Sequence, residues 1–302
     1  MKLLVILGKS LLIPFALLLL VHFFIKDRSY DLAMIFNAFP MPVLIGLGLF
    51  ISMLLIPERT WFRSTLIVTL LLAAHWLFSY YGFHRVEIDK DNNHILLWNI
   101  DNRKFLPREE LKEQIDLFEP DIMAFLETRK LSMTELKYLK EQFPQYQFNI
   151  VQGYFLIATK GNIELIDYQK FEITKFHTFK ASIDGKNRTL MIADVGVKGG
   201  YFNQWQDIEK IHAEALKNKV DMVFGDFNTP YESYHFNDFR KDYQSFHDVS
   251  EGFTATWPKG LPLLELDQIW VDEDIEPITL KKFYFKDYSN HDMLIGSFNF
   301  ND

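Results

Sequence analysis

A mixed α/β layered domain behind three membrane-spanning helices is the architecture the sequence predicts. Three observations predict it. The first 83 residues are almost unbrokenly apolar, short β-rich runs alternate with amphipathic helical stretches from His94 onward, and polar residues recur at the ends of those runs.

The apolar stretches run from about Leu3 to Ile25, Ala33 to Pro57 and Ser64 to Phe83, each near the ~20 residues that cross a bilayer as helix. A core helix can imitate one such stretch and a signal peptide the first, since Lys2 and Lys9 precede apolar residues, but three in succession fit neither. Pro14, Pro40 and Pro42 are compatible with helix in a bilayer, where neighbours satisfy freed carbonyls. Charge gives no orientation: Lys2, Lys9, Arg59 and Arg63 share one side while Lys26, Arg28, Arg85 and Lys90 share the other, so the positive-inside rule ties. An odd number of spans places the amino terminus and the following domain on opposite faces. His75 reads as a packing or near-interface residue, with an intramembrane functional site as the alternative.

The division is residues 1–83 as membrane anchor and 84–302 as a soluble domain. The anchor holds six Lys/Arg and three acids; taken from totals of 32 and 40, these leave 26 basic and 37 acidic residues in the domain, a net of −11. Sequence-independent nucleic-acid binding rests on cations that neutralise phosphates, so a general nuclease is disfavoured. With no cysteine in the chain, disulfides, thiolate metal sites and cysteine nucleophiles are excluded.

Within the domain, strands are predicted at His94 to Asn99, Ile122 to Glu127, Tyr154 to Thr159, Leu190 to Val195, Val220 to Gly225, Leu264 to Val271 and Met293 to Phe298. Pro107 opens a helix that ends before Pro120, Ser132 with Glu135 forms a capping box, and Asn203 precedes a helix reaching about Asn218.

The chemistry-bearing residues follow apolar strands: Asn99 in Leu-Leu-Trp-Asn-Ile, Glu127 in Asp-Ile-Met-Ala-Phe-Leu-Glu-Thr, Asp226 and Asn228 in Gly-Asp-Phe-Asn, Asp267 in Leu-Asp-Gln-Ile-Trp-Val, and His291 in Ser-Asn-His-Asp. Carboxylates, amides and one imidazole suit a hard cation such as Mg²⁺ or Mn²⁺, which binds through one or two carboxylates plus substrate phosphate. Each alone has a bland reading as a cap, a turn or a structural histidine; their joint order carries the signal. Trp257-Pro258 and the aromatic-rich segment from Tyr231 to Phe239 either line a substrate cleft or pack the interior.

From residue 94 to 302 the sequence resembles the endonuclease/exonuclease/phosphatase superfamily, most specifically in Val-Asp-Met-Val-Phe-Gly-Asp-Phe-Asn and Pro-Asp-Ile-Met-Ala-Phe-Leu-Glu. That resemblance implies a four-layer α/β sandwich, two packed β-sheets with outer helices. It implies that Glu127 holds the metal with Asn99 beside it, that Asp226 positions the attacking water, and that Asn228 contacts the phosphoryl group. His291 then stabilises the phosphate or transfers a proton, oriented by Asp267. Two departures stand out. Asn290 occupies a place near the metal that is usually aspartate, and Asp194 with Gly196 replaces a usual Asn-x-His, removing a phosphate-contacting histidine. Because alternate strand residues share a face, Asp194 is a candidate replacement carboxylate, against the reading of an ordinary strand residue in a degraded site. Tyr201 or Lys198 would reach the histidine's space from the next loop, or else serve only loop solvation.

Members with preceding membrane spans resemble bacterial lipid-pyrophosphate phosphatases. The resemblance therefore implies a multi-pass cell-membrane enzyme, its domain outside the cytoplasm, acting among membrane lipids on a lipid-linked phosphate or polyprenyl diphosphate. The alternatives are a metal-dependent nuclease and a membrane scaffold that retains the fold without turnover.

Overall fold

The computed structural model describes residues 2–83, 89–197, 201–286 and 288–301, the side chains of 201–203 aside. Contacts divide the chain into two compact units, Met1–Gly82 with Ser233–His235, and Phe83–Glu232 with Phe236–Asp302.

In the first unit, α1 (Lys2–Leu20) continues through a π-helical turn at Val21–Ile25. These 24 residues extend ~36 Å at ~1.5 Å per residue, more than the ~30 Å hydrocarbon core. Then come α2 (Tyr30–Ala38), α3 (Met41–Leu54) and the 22-residue α4 (Arg59–Tyr80). The second apolar stretch is not one straight helix, because α2 and α3 meet at a 68° bend. Phe39 precedes a proline and leaves helical geometry (φ −123°, ψ 61°), Pro40 has no N–H to continue the ladder, and Pro42 then sits in the first turn of α3. Among the described residues, two helices are thus long and apolar enough to cross a membrane, or three if the bent pair is one span. Polar side chains inside these helices return to their own backbone: Ser52 Oγ donates to Gly48 O (2.8 Å), and Thr65 and Thr69 donate to carbonyls four residues back (2.9 Å each). Ile13, Leu71 and Phe78 are largely exposed, a surface that water does not favour.

Onward from α4 the chain forms β1 (Tyr81–Phe83), β2 (Asn93–Asn99), α5 (Arg108–Phe118), β3 (Ile122–Leu126), α6 (Met133–Gln142), β4 (Gln147–Val151), β5 (Phe155–Thr159), β6 (Ile163–Phe171), β7 (Thr174–Ile183) and β8 (Lys186–Asp194). It ends with α7 (Tyr201–Lys217), β9 (Met222–Asp226), α8 (Phe239–Asp242), β10 (Gln244–Ser245), β11 (Glu251–Phe253), β12 (Asp267–Val271), β13 (Ile275–Phe283) and β14 (Met293–Phe300). Two six-stranded mixed sheets result, ordered β13-β14-β2-β3-β5-β4 and β10-β12-β9-β8-β7-β6.

Side-chain alternation builds the layers. Ile95 and Leu97 of β2 face inward, where the first sheet meets Phe179, Ile192, Phe224 and Ile269 of the second. Leu96 and Trp98 face outward onto Ile115, Phe118 and Leu139 of α5 and α6. On the far side, Met191, Val223 and Trp270 pack on Ile208, Ile211 and Phe239 of α7 and α8. Helices therefore flank two packed sheets, the four-layer sandwich expected.

Local signals hold with adjustments. The α5 helix follows Pro107 and stops at Glu119, whose left-handed backbone precedes Pro120. Ser132 Oγ accepts from Glu135 N (3.1 Å), but the box is one-sided: the fully buried Glu135 carboxylate takes Arg108 instead (3.0 Å). Helix α7 begins at Tyr201, two residues before Asn203. Strands β4, β6, β7 and β13 were not foreseen, since β6 is a largely exposed edge strand and β7 mixes Lys, His and Thr among its apolar residues.

Candidate active site

Each sheet has one central parallel pair, β2 with β3 and β8 with β9. Parallel pairing brings carboxyl ends of strands together, and the site lies at those ends. In the first sheet Asn99, fully buried, closes β2 and donates through Nδ2 to Asp226 Oδ2 (2.9 Å) and Glu127 Oε1 (3.3 Å). Its Oδ1 accepts from Asp101 N (2.9 Å). Glu127 follows β3 with a left-handed backbone (φ 53°), leaving the pleat at the strand end, and Asn102 Nδ2 holds its Oε2 at 2.5 Å. Burial, then the nearby Asp194, raises the Glu127 carboxyl above its ordinary range. Ser289 Oγ fixes the approach to β14 by donating to Asn99 O (2.6 Å) and accepting from His291 N (3.0 Å).

The second sheet contributes a row set by register. Asp194 of β8 is paired with Asp226 of β9, and Asp226 with Asp267 of β12, so three carboxylates stand side by side across adjacent strands. Gly225 makes the approach of β8 and β9 feasible: its φ is 151°, and an added Cβ would lie 1.9 Å from Ala193 O. Beyond the strand, Asn228 turns back with φ 49°, donating from its backbone N to Asp226 Oδ1 (2.8 Å) and from Nδ2 to Val195 O (2.9 Å).

The two sheets meet at His291. Its Nδ1 is 2.7 Å from Asp267 Oδ2 and its Nε2 is 3.7 Å from Asp226 Oδ2. Ligand-type atoms of Asp226, Asp267 and His291 all lie within 4.8 Å of one another. Burial alone would drive the imidazole down, but Asp267 and then Asp226 outweigh it and raise His291 to about 10, favouring imidazolium. Burial pushes Asp226 up to about 7. Asp267 Oδ1 and Asn290 Oδ1 are buried without a hydrogen-bond partner among the described residues. A set of oxygen donors with orphaned lone pairs fits a hard divalent cation.

A cleft of about 360 Å³ opens beside this group, lined by Glu127, Asp194 and Asn228 together with Asn102, Tyr154 and Lys175 among others. Thus Asn99, Glu127, Asp226, Asp267 and His291 converge as their order suggested, and Asn228 braces Asp226. Asp194 adjoins them but its Oδ2 is held by Lys175 at 2.6 Å. Lys198 and the Tyr201 side chain lie outside the described residues. The aromatic segment divides: Phe236 and Phe239 are buried against Trp270, so they pack, whereas Tyr231 lines a separate cavity. Sequence reasoning missed Asn102, Ser289 and Lys175. Asn102 follows Asn99 closely in a polar Asp-Asn turn, the one signal available for it; Ser289 carries none beyond preceding His291 by two.

No protein-family model matches the sequence, and no curated protein matches it. Solved structures do. An endonuclease/exonuclease/phosphatase family protein from Bacteroides thetaiotaomicron superposes with a TM-score of 0.54 at 11% identity, over 70% of this chain and 98% of the other. D. rerio TDP2 complexed with single-strand DNA product gives 0.53 at 14% identity, over 69% and 99%. The human nocturnin catalytic domain with bound sulfate anion gives 0.50 at 17%, over 70% and 94%. The sandwich of this chain therefore has the endonuclease/exonuclease/phosphatase fold.

Proposed function

We propose that this chain is a membrane-anchored, divalent-metal-dependent phosphoester or phosphoanhydride hydrolase acting on a lipid-linked phosphate. The observation that supports it most is the buried Asp226–Asp267–His291 group, joined through Asn99 to Glu127. Its fold is shared with proteins solved with a DNA product and with sulfate, a tetrahedral oxyanion like phosphate. Glu127 would hold the cation, with Asn99, Asn290 and Asp194 as neighbouring ligands, Asp194 being paired through Oδ2 with Lys175. When bound, the cation supplies neutralisation of phosphoryl charge.

The protein's own groups do the rest. Asp226, fixed by Asn99 and by the Asn228 backbone, orients water toward phosphorus. His291 keeps one proton on Nδ1 toward Asp267, which fixes its orientation, and presents Nε2 toward developing negative charge or a leaving oxygen. Asn228 offers an amide to the phosphoryl group once it turns from Val195 O.

The lipid assignment rests on the apolar helices, whose exposed Ile13, Leu71 and Phe78 suit an acyl environment. Residues 1–83 form the anchor and 84–302 the catalytic domain, which faces outside the cytoplasm; protease added to intact spheroplasts should cleave it, and cleavage only after lysis would reverse the facing. The deciding experiment presents the full-length protein in detergent, with Mg²⁺ or Mn²⁺, with phospholipids, a polyprenyl diphosphate and DNA. Phosphate release from a lipid-linked substrate, abolished by chelation, is expected. Cleavage of DNA alone, with steep salt dependence, would favour the nuclease, and no turnover at all the scaffold.

A further inference from the structure

The row across the second sheet does not stop at the carboxylates. Lys175 of β7 pairs in register with Asp194, and Lys170 of the edge strand β6 pairs with Lys175. Five adjacent strands thus carry Lys170, Lys175, Asp194, Asp226 and Asp267 in one line, two cations followed by three acids. Like charges directly opposite in a sheet repel, yet Lys170 and Lys175 both line the cleft beside Glu127, and Arg129 joins them from the loop after β3. In a domain of net charge −11, this is a cationic wall against the trend.

We propose that this wall is an oxyanion subsite, with Lys175 as the residue that contacts a phosphoryl oxygen of the substrate. The Lys175 side chain is 15% exposed, and its Nζ donates to Gly153 O (3.0 Å) and meets Asp194 Oδ2 (2.6 Å). An ammonium has three N–H donors, so one is left without an acceptor among the described residues, on a side chain that lines the cleft. The rings of Tyr154 and Phe155 lie 5.5 and 5.7 Å from Nζ and restrict its motion. A side chain at position 196 would first have to displace Ile173, since a Cβ on Gly196 would come 2.1 Å from Ile173 Cγ1. Arg129 and Lys170 are exposed at the rim and have no carboxylate partner among the described residues, which suits them to a second oxyanion of the same substrate.

This subsite rests on the phosphoesterase reading for its ligand, so it is tested by binding rather than turnover. The full-length protein in detergent, with chelator present, is titrated calorimetrically with inorganic pyrophosphate; Mg²⁺ affinity is measured separately. Lys175→Gln should weaken pyrophosphate binding about 10-fold or more, and Arg129→Gln and Lys170→Gln a few-fold each, the losses expected for charge-assisted bonds. Mg²⁺ affinity should stay unchanged or rise in Lys175→Gln. Unchanged pyrophosphate binding in Lys175→Gln, with Mg²⁺ affinity or melting temperature altered, would overturn the proposal and leave Lys175 as a counter-ion to Asp194. Should Lys175→Gln not fold, the two exposed variants decide: wild-type affinity in both overturns the subsite. Lysine-dependent binding without hydrolysis of any substrate would sink the enzyme reading and keep the subsite; hydrolysis with lysine-independent binding would do the reverse.

Discussion

The two sheets build their halves of the site by different means. The first sends groups from strand ends and the loops after them: Asn99 and Glu127 hold one another and Asn102, and His291 is fixed by Ser289. The second keeps its ionisable groups within strands, so that register alone aligns Lys175, Asp194, Asp226 and Asp267. A loop-borne group can be altered with local consequences, whereas a group in a register row depends on every strand beside it. Changes to the backbone approach of these strands should therefore cost folding, whereas isosteric changes to a side chain in the row should cost function and spare the fold.

The largest effect should come from Gly225→Ala, which puts a methyl against Ala193 O between β8 and β9. We expect a loss of more than about 3 kcal/mol in denaturant unfolding, or no folded protein. A variant of wild-type stability would mean that β8 and β9 can separate and that the row is not fixed by their approach.

Asp226→Asn comes next. The amide can still accept from Asn228 N but cannot serve as the base that orients water, so kcat should fall about 10³-fold while the fold persists. Asp267→Asn should cost less, about 10²-fold in kcat with little change in KM, by leaving the imidazolium poorly oriented. Equal losses of kcat and of thermal stability in either variant would erase the distinction between chemistry and scaffold.

A smaller effect should appear in metal-free melting. Burial pushes Asp226 up to about 7, above its unfolded value, so its contribution is fully present below about pH 4 and is lost as pH rises through about 7. In chelator, the melting temperature should therefore fall from pH 5 to pH 8, by less in Asp226→Asn, and Mg²⁺ should restore more of it at pH 8. A slope identical in the two proteins would show that this carboxyl does not govern it.

The same contrast explains what could be read from the sequence. Asn99 and Glu127 were legible because a polar residue closing an apolar run marks a strand end, His291 because its imidazole stands just before the apolar run of β14, and Gly-Asp-Phe-Asn because its glycine, carboxylate and turn amide serve one local geometry. Strands β2, β3, β8 and β9 were legible from the alternation of short apolar runs with helical stretches, but their pairing was not. Lys170 and Lys175 were not legible, since β6 and β7 lack that alternation and a cross-strand row exists only once register is known. Asn102 and Ser289 act through hydrogen bonds to distant partners, which no local pattern records. In the apolar region the bend is written at Phe39–Pro40, although apolar length alone suggests one continuous span.

The central claim is that the two sheets make one catalytic centre, with Asn99 bridging Glu127 and Asp226. A double-mutant cycle tests it most directly: kcat/KM for phosphate release at saturating Mg²⁺, in wild type, Glu127→Gln, Asp226→Asn and the double variant. Groups serving one centre should be strongly non-additive, the double variant losing little more than the worse single one. If the two losses multiply, Glu127 and Asp226 act independently and the centre described here is wrong.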